Sequence, residues 1–490
     1  MKLRIWLFTL LVLLLTAAMP VRAGAEEAEA RDISGECGLE CAVETAGEAL
    51  LDGDRMSPYS LPEGTGITLT HPEGIGSLYL IFDRDYGEYS VTDNDSGITG
   101  VWGTQRFLHD FVDLEGFFSH APTSVTLTFE NGDVWLNELT AFSSGEVPAY
   151  VQKWEWPEDE RADLILFSAH CDDEQLFFAG MIPYYAGELD YRVQVVYLTD
   201  HKNLYSWRVH EGLDGLWNVG LRRYPVFGPF ADHYCRSREK AYALYQEDGV
   251  TERDLAAFIT EQLRRFRPLV VVSHDVNGEY GHGQHMTCAD AVIAASEISG
   301  SPEIYPESEE KYGAWEVPKV YLHLYELNRI WMDWDRPLAR FDGMTAYHVT
   351  KDLGFPSHES QVDGFAWYME QYDTAADIEY YSPCAFGLYR STVGPDVEKN
   401  DFFENLTIYR EQDRIAQELA DLEAERLAEE KKAREEALRQ EQEAQAAARF
   451  EEQTQKTAPR ILLLAGTVLV LLTGAICAAL VIRRKKYRGK

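Results

Sequence analysis

Apolar positions change their rhythm twice along this chain. From Asp32 to about Val151 they come as short runs at 67–70, 78–82, 125–129 and 134–139. Several alternate with polar residues at the two-residue period of a half-buried strand. Clusters of Gly, Asn, Asp and Pro separate them, and Glu130-Asn131-Gly132-Asp133 reads as a hairpin turn. No segment of helical length and period interrupts the region, which predicts an all-β sandwich or jelly roll over 32–151. Trp102, Phe107, Trp135 and Phe142 read as core or rim aromatics, with sugar platforms as the competing reading.

Trp154-Glu155-Trp156-Pro157 marks a junction. Beyond it, continuous apolar runs at 164–167, 193–198, 268–272 and 320–324 have the length of strands covered on both faces. Between them, 207–221, 254–266 and 286–298 are helix candidates, and Leu255, Phe258, Ile259 and Leu263 share one face of the second. Such alternation predicts an α/β domain over 157–403, a parallel sheet with flanking helices.

From 404 to 459 the composition turns to Glu, Ala, Gln, Lys and Arg, ending at Pro459. Ile415, Leu419 and Leu422 open a heptad that Arg426 and Glu429 break, so a charged helical stalk is expected rather than a coiled-coil dimer. The 22 apolar or small residues of 461–482 are enough for one transmembrane helix, and the basic tail of 483–490 predicts a cytosolic C-terminus. At the other end, Lys2 and Arg4, the apolar stretch 5–18 and Ala23-Gly24-Ala25 read as a cleaved signal peptide over 1–25. Together these predict a single-pass membrane protein, and the expected topology puts the α/β domain outside the cell.

Charge narrows the partners. A formal charge of -37 argues against binding nucleic acid or anionic lipid through the bulk surface, and leaves a neutral sugar open. Seven cysteines are too few for a disulfide scaffold. Cys37 and Cys41 are expected to pair, Cys477 falls in the span, and Cys171, Cys235, Cys288 and Cys384 lack zinc-ribbon spacing. Asn94-Asp95-Ser96 and Asn405-Leu406-Thr407 fit the glycosylation pattern.

The chemistry gathers where apolar runs end. The first stops at Ser168-Ala169-His170-Cys171-Asp172-Asp173-Glu174, the second at Thr199-Asp200, the third at Ser273-His274-Asp275. Ligands of open α/β sheets bind at that edge. Asp172 and Asp173 have a competing role as caps of the next helix. A Gly-rich loop follows the third strand and carries His282 and His285, three apart, as His170 and Asp173 are. Two imidazoles and one carboxylate from these residues make a three-ligand set suited to zinc, with the fourth position open to water.

His170-Cys171-Asp172-Asp173-Glu174 resembles the AHPDDE motif of the PIG-L/LmbE-like zinc deacetylases, and Tyr280-Gly281-His282-Gly283-Gln284-His285 resembles that family's GHxxH motif. The resemblance covers about 162–397. It implies a Rossmann-like fold and removal of acetyl from N-acetylglucosamine-type sugars. It further implies Zn2+ held by His170, Asp173 and His285, Asp172 as general base, and His282 with Tyr280 at the oxyanion. Arg208, in Arg208-Val209-His210-Glu211, is implied to hold the sugar. Asp200 and Asp275 are implied as supports of the ligands, and His358-Glu359-Ser360-Gln361 as a late element near the site. Cys171 replaces the usual proline, and Gln284 stands where several members have Asp. The region 32–151 resembles discoidin-like carbohydrate-binding modules through Asp32-Ile33-Ser34 and Leu51-Asp52-Gly53. Two other functions remain: a zinc amidase acting on a non-sugar amide, and a glycan-binding adhesin whose deacetylase-like fold is inactive.

Overall fold

The computed structural model describes residues 29–156, 159–201 and 206–486. The expected signal peptide, Pro157 of the junction and the end of the basic tail lie outside the described residues. The chain divides into two compact units, one reaching Tyr409 and one starting at Arg410.

The first unit begins with two antiparallel sheets. Gly38–Cys41, Gly66–Thr70, Ser124–Thr128, Tyr89–Asp93 and Thr99–Trp102 lie side by side in one. Tyr59–Leu61, Val134–Phe142, Ser77–Phe82 and His109–Asp113 form the other. Both feed one buried cluster, with Ile67, Val91, Val125 and Leu127 from the first sheet and Leu78, Leu80, Val112 and Leu136 from the second. The residues between buried ones in Ser124–Thr128 are only partly covered, which is why that run alternates in sequence.

Two expectations fail here. The 130–133 turn does not close a hairpin, because the strand before it and the strand after it belong to different sheets. Phe129 is buried among Phe82, Tyr86 and Tyr89, and Asn131 is held by the Tyr86 hydroxyl and the Glu88 carbonyl. These contacts carry the chain from one sheet to the other. Cys37 and Cys41 are free thiols. The Gly38–Cys41 strand sets them four extended residues apart, roughly 13 Å at about 3.3 Å per residue, beyond a disulfide's reach. Of the four aromatics, Phe142 is core, Trp135 lies under the Arg84 guanidinium, Phe107 packs on Tyr224 and Trp102 on Phe117.

The second part of this unit is a seven-stranded sheet. Its spatial order is Val226–Phe230, Val193–Thr199, Leu164–Ser168, Val270–Ser273, Lys319–His323, Ala385–Ser391 and Arg329–Trp331. The first five are parallel, and Ala385–Ser391 runs antiparallel to both of its neighbours, Lys319–His323 and Arg329–Trp331. Leu164–Ser168 is central, and all five residues are buried. Leu164 and Leu166 enter one core cluster while Ile165 and Phe167 enter another. Both faces are covered, so the strand needs an unbroken apolar run. Each such side chain contributes about 1.5–3 kcal/mol on burial. Chain order reverses at this strand, since its successors pair on one side and Val270–Ser273 on the other. A crevice therefore opens beyond its carboxyl end.

The flanking helices follow their sequence signals closely. Glu252–Phe266 starts at a Thr251/Asp254 capping box and ends at Arg267 in the left-handed region. Ser206–Asn218 and Gly283–Ile298 occupy the other two expected positions. The helix Tyr409–Lys486, which makes up the second unit from Arg410 onward, runs through Pro459. It begins at Tyr409 rather than Glu404, whose carboxylate accepts from the backbone of Val397, Glu398 and Lys399. Among the described residues it is the one helix long and apolar enough to cross a membrane.

Candidate metal centre

Three strand ends converge on the turn after Ser168. The Thr199 hydroxyl donates to the Ala169 carbonyl at 2.7 Å, and the Ala169 N–H donates to His274 Nε2 at 2.8 Å. Asp173 opens a four-residue helix to Leu176, yet Asp172 at its N-cap makes no side-chain cap bond. The capping role for Asp172 is thereby excluded.

The expected donors meet. His170 Nδ1 lies 3.0 Å from Asp173 Oδ2 and 3.3 Å from His285 Nε2, and His285 Nε2 lies 3.2 Å from Asp173 Oδ1. A tetrahedral zinc with ligands at about 2.0–2.1 Å separates its donors by roughly 3.3 Å. All three side chains are buried. His282 is also near: a donor atom from each of His170, His282 and His285 falls within 4.8 Å of the others. His274 sits equally close, but Nδ1 faces the Glu279 carboxylate and Nε2 accepts from Ala169, which leaves it no free lone pair.

Hydrogen bonds fix which nitrogens are available. The His233 N–H donates to Gln284 Oε1 at 2.8 Å, so the amide oxygen faces His170 Nε2 at 3.0 Å and takes its proton. His170 is left with a lone pair at Nδ1. His285 Nδ1 donates to Glu279 Oε2 at 2.7 Å, which frees Nε2. Gln284 thus performs at His170 the orienting task a carboxylate performs elsewhere.

Charge favours a cation. Burial alone lowers the His170 imidazole, but Asp232 and Asp173 raise it well above its ordinary value. Burial likewise opposes His285, which Asp173 and Glu279 raise to about 9. Asp173, despite burial, is held well below the carboxylate range by His285 and His170. The carboxylates draw positive charge into the cluster, and the donor set fits zinc.

The other expected residues surround this cluster. Burial raises the Asp172 carboxyl to about 7, against the opposing pull of Arg208, whose Nη2 lies 3.2 Å from Oδ2. Arg208 also bridges to Asp232 at 3.2 Å and donates to the Cys171 carbonyl at 3.0 Å. The rings of Tyr280 and His282 are 5.5 Å apart, and His282 stands 4.8 Å from His170. These residues line a cleft of about 570 Å3, with Tyr234, Phe365 and Trp367 on its walls.

Three supports were not expected. Glu279 accepts from His285, from His274 and His323 at 2.8 and 2.6 Å, and from the Asp275 N–H at 3.1 Å. It does the work expected of Asp275, whose own carboxylate is taken up by Asn277. Asp232 meets His201 at 3.1 Å and lies past a strand that Gly228 and Pro229 hide in the sequence. Pro is tolerated there because Val226–Phe230 is the sheet edge. His323 ends the Lys319–His323 strand, the fifth of the parallel strands, and a polar strand end is the same signal that marked the other three apolar runs. Asp200 ties its N–H to the Phe230 carbonyl. Cys171 packs in the core, and burial pushes its thiol well up.

Residues 165–296 match the family model described as PIG-L: GlcNAc-PI de-N-acetylase. A 1D-myo-inositol 2-acetamido-2-deoxy-alpha-D-glucopyranoside deacetylase of Rhodococcus jostii is 31% identical over 188 residues, 34% of this chain and 63% of that protein. The protein of the same name from Rhodococcus opacus is 29% identical over 193 residues, again 34% and 63%. The chain therefore spans less than two thirds of these relatives' length. Among solved structures, N,N'-diacetylchitobiose deacetylase from Pyrococcus horikoshii aligns with 46% of this chain and 83% of its own. At 14% identity and a TM-score of 0.30 that likeness carries no argument.

Proposed function

We propose that the protein is a zinc-dependent N-deacetylase acting on N-acetylglucosamine-type sugars. Its parallel sheet is read as Rossmann-like, its first part as a carbohydrate-binding β-sandwich, and its long helix as a stalk and single membrane anchor that holds the catalytic part outside the cell. The observation that carries the reading is the mutual approach of His170, Asp173 and His285 to 3.0–3.3 Å beside an unliganded carboxylate in an open cleft.

An amide resists hydrolysis because water is a weak nucleophile and an amine a poor leaving group. His170, Asp173 and His285 would hold the zinc, which when bound would supply Lewis acidity and a water acidic near neutral pH. Asp172, with a carboxyl near 7, is poised to take the proton of the attacking water and return it to the departing amine. Arg208 holds that carboxylate in place and bridges to Asp232 on the cleft wall. His282 and Tyr280 reach the same side and stabilise the oxyanion, a service worth about 3 kcal/mol per donor. Burial holds the His282 imidazole far down, so it stays neutral and acts as a hydrogen-bond donor.

The test is metal analysis of the purified full chain, with acetate release measured on a panel of N-acetylated sugars and cell-wall fragments. One zinc per chain and released acetate are expected. A chain that binds no zinc, or a loaded one that releases no acetate from any sugar, overturns the reading.

A further inference from the structure

Asp172 has a backbone that L-residues rarely adopt, with φ 134° and ψ -34°. Such a conformation is strained and persists only where neighbours hold it. The hold lies in two residues outside the metal set. The Asp172 N–H donates to Glu174 Oε2 at 2.9 Å. The other oxygen of Glu174, Oε1, faces His358 Nε2 at 3.2 Å, and both side chains are buried.

The surroundings are shaped for this contact. A Cβ at Gly215 would lie 2.9 Å from His358 Nε2, and one at Gly212 would lie 3.3 Å from Cys171 Cβ. Gly215 on the Ser206–Asn218 helix thus leaves room for the imidazole to reach Glu174, and Gly212 leaves room for the Cys171 side chain. The same helix grips the chain just after His358: Glu211 accepts from the Ser360 N–H at 2.8 Å and from its hydroxyl at 2.6 Å. It also carries Arg208, which meets the Asp172 carboxylate.

We infer that Glu174, braced by His358, is a positioning residue that aims Asp172 by pinning its backbone amide while Arg208 aims its carboxylate. This rests on the reading of Asp172 as the base. Glu174 has no donor role at the metal, since its two oxygens are directed at the Asp172 amide and at His358. Misplacing a reacting group by about 1 Å costs on the order of 10²-fold in rate.

The full-length protein in detergent micelles tests the inference. Glu174→Met keeps the length of the side chain and removes the acceptor. It is expected to lower kcat about 10²-fold, with KM and bound zinc unchanged. Glu174→Gln, whose amide oxygen can still accept from Asp172, is expected to restore most of the lost turnover. Amide exchange in the peptide from Ala169 to Leu176 gives a reading independent of turnover, faster in the Met variant and as in wild type in the Gln variant. If wild type releases no acetate, the functional reading fails while the exchange comparison still judges the pair. Equal exchange in the two variants overturns the inference, as does equal kcat or a drop in kcat explained by lost zinc. Should Glu174→Met fail to fold, Gly215→Ala replaces it, because its Cβ displaces His358. Reduced kcat at unchanged KM supports the pair, and wild-type kcat overturns it.

Discussion

Asp172 lines the cleft and His285 is fully buried in the donor cluster, and the two answer to different experiments. Asp172→Asn is nearly isosteric and removes the proton acceptor, so zinc and fold are expected to survive while kcat falls by about 10²–10⁴. Undiminished acetate release from that variant would take Asp172 out of the base role. His285→Ala removes a donor, and metal analysis is expected to find the protein depleted of zinc. Glu279→Gln is subtler. Glu279 accepts from three imidazoles and one amide, and the substitution turns one oxygen into a donor facing an N–H. Zinc affinity is expected to fall about 10–100-fold in a chelator competition, and wild-type affinity would deny Glu279 its supporting role. The contrast shows what a sequence displays at this scale. His170, Asp173, His282 and His285 are legible because each pair is close in the chain and sits at a strand end or helix start. Glu279 and Asp232 act on groups brought to them by other strands, so no local spacing marks them.

At the scale of elements, the loop that delivers the second half of the centre depends on Gly278. Its φ is +67°, and a Cβ there would lie 2.3 Å from the His282 carbonyl oxygen. Only glycine fits, because the neighbour is backbone and cannot rotate away. Gly278→Ala is expected to cost about 1–3 kcal/mol and to weaken zinc binding by displacing Glu279 and His282 together. Thermal unfolding with and without added zinc would measure both, and a variant with unchanged melting and affinity would show the loop to be tolerant. Strands covered on both faces were legible because burial alone dictates their composition. Pairing was not. The 130–133 segment has correct turn chemistry, and nothing local says that the strand after it joins another sheet. The Val226–Phe230 strand escaped notice because an edge position permits the glycine and proline that read as loop.

At the scale of the whole first unit, its β-rich part and its α/β part share a buried polar chain whose protons can all be assigned. Asn137 Nδ2 donates to the Arg55 carbonyl at 2.9 Å, which fixes its amide. The same Nδ2 then donates to His210 Nε2 at 3.3 Å, His210 Nδ1 to His109 Nε2 at 2.8 Å, and His109 Nδ1 to the Tyr79 hydroxyl at 2.7 Å. Each ring carries one proton and is neutral, and a second proton on His210 would face the Asn137 NH2. Burial lowers His210 to about 4 and His109 well below its ordinary value, with Arg55 adding to the effect. Folded-state values below the unfolded value of about 6.5 mean that the unfolded chain binds more protons between pH 4 and 6.5. The stability these rings contribute is complete above about 6.5 and is lost as pH falls toward 4, about 3 kcal/mol for His210 alone. Asp110, raised by burial to about 6, has the opposite sign, because the native state then binds the extra proton. The raw pH slope therefore mixes both, and the difference between wild type and His210→Gln isolates the imidazole. That difference in melting temperature is expected to shrink as pH falls from 7 to 4.5, since only wild type carries the penalty. A difference independent of pH would mean that the two parts of the unit are not joined through neutral histidines.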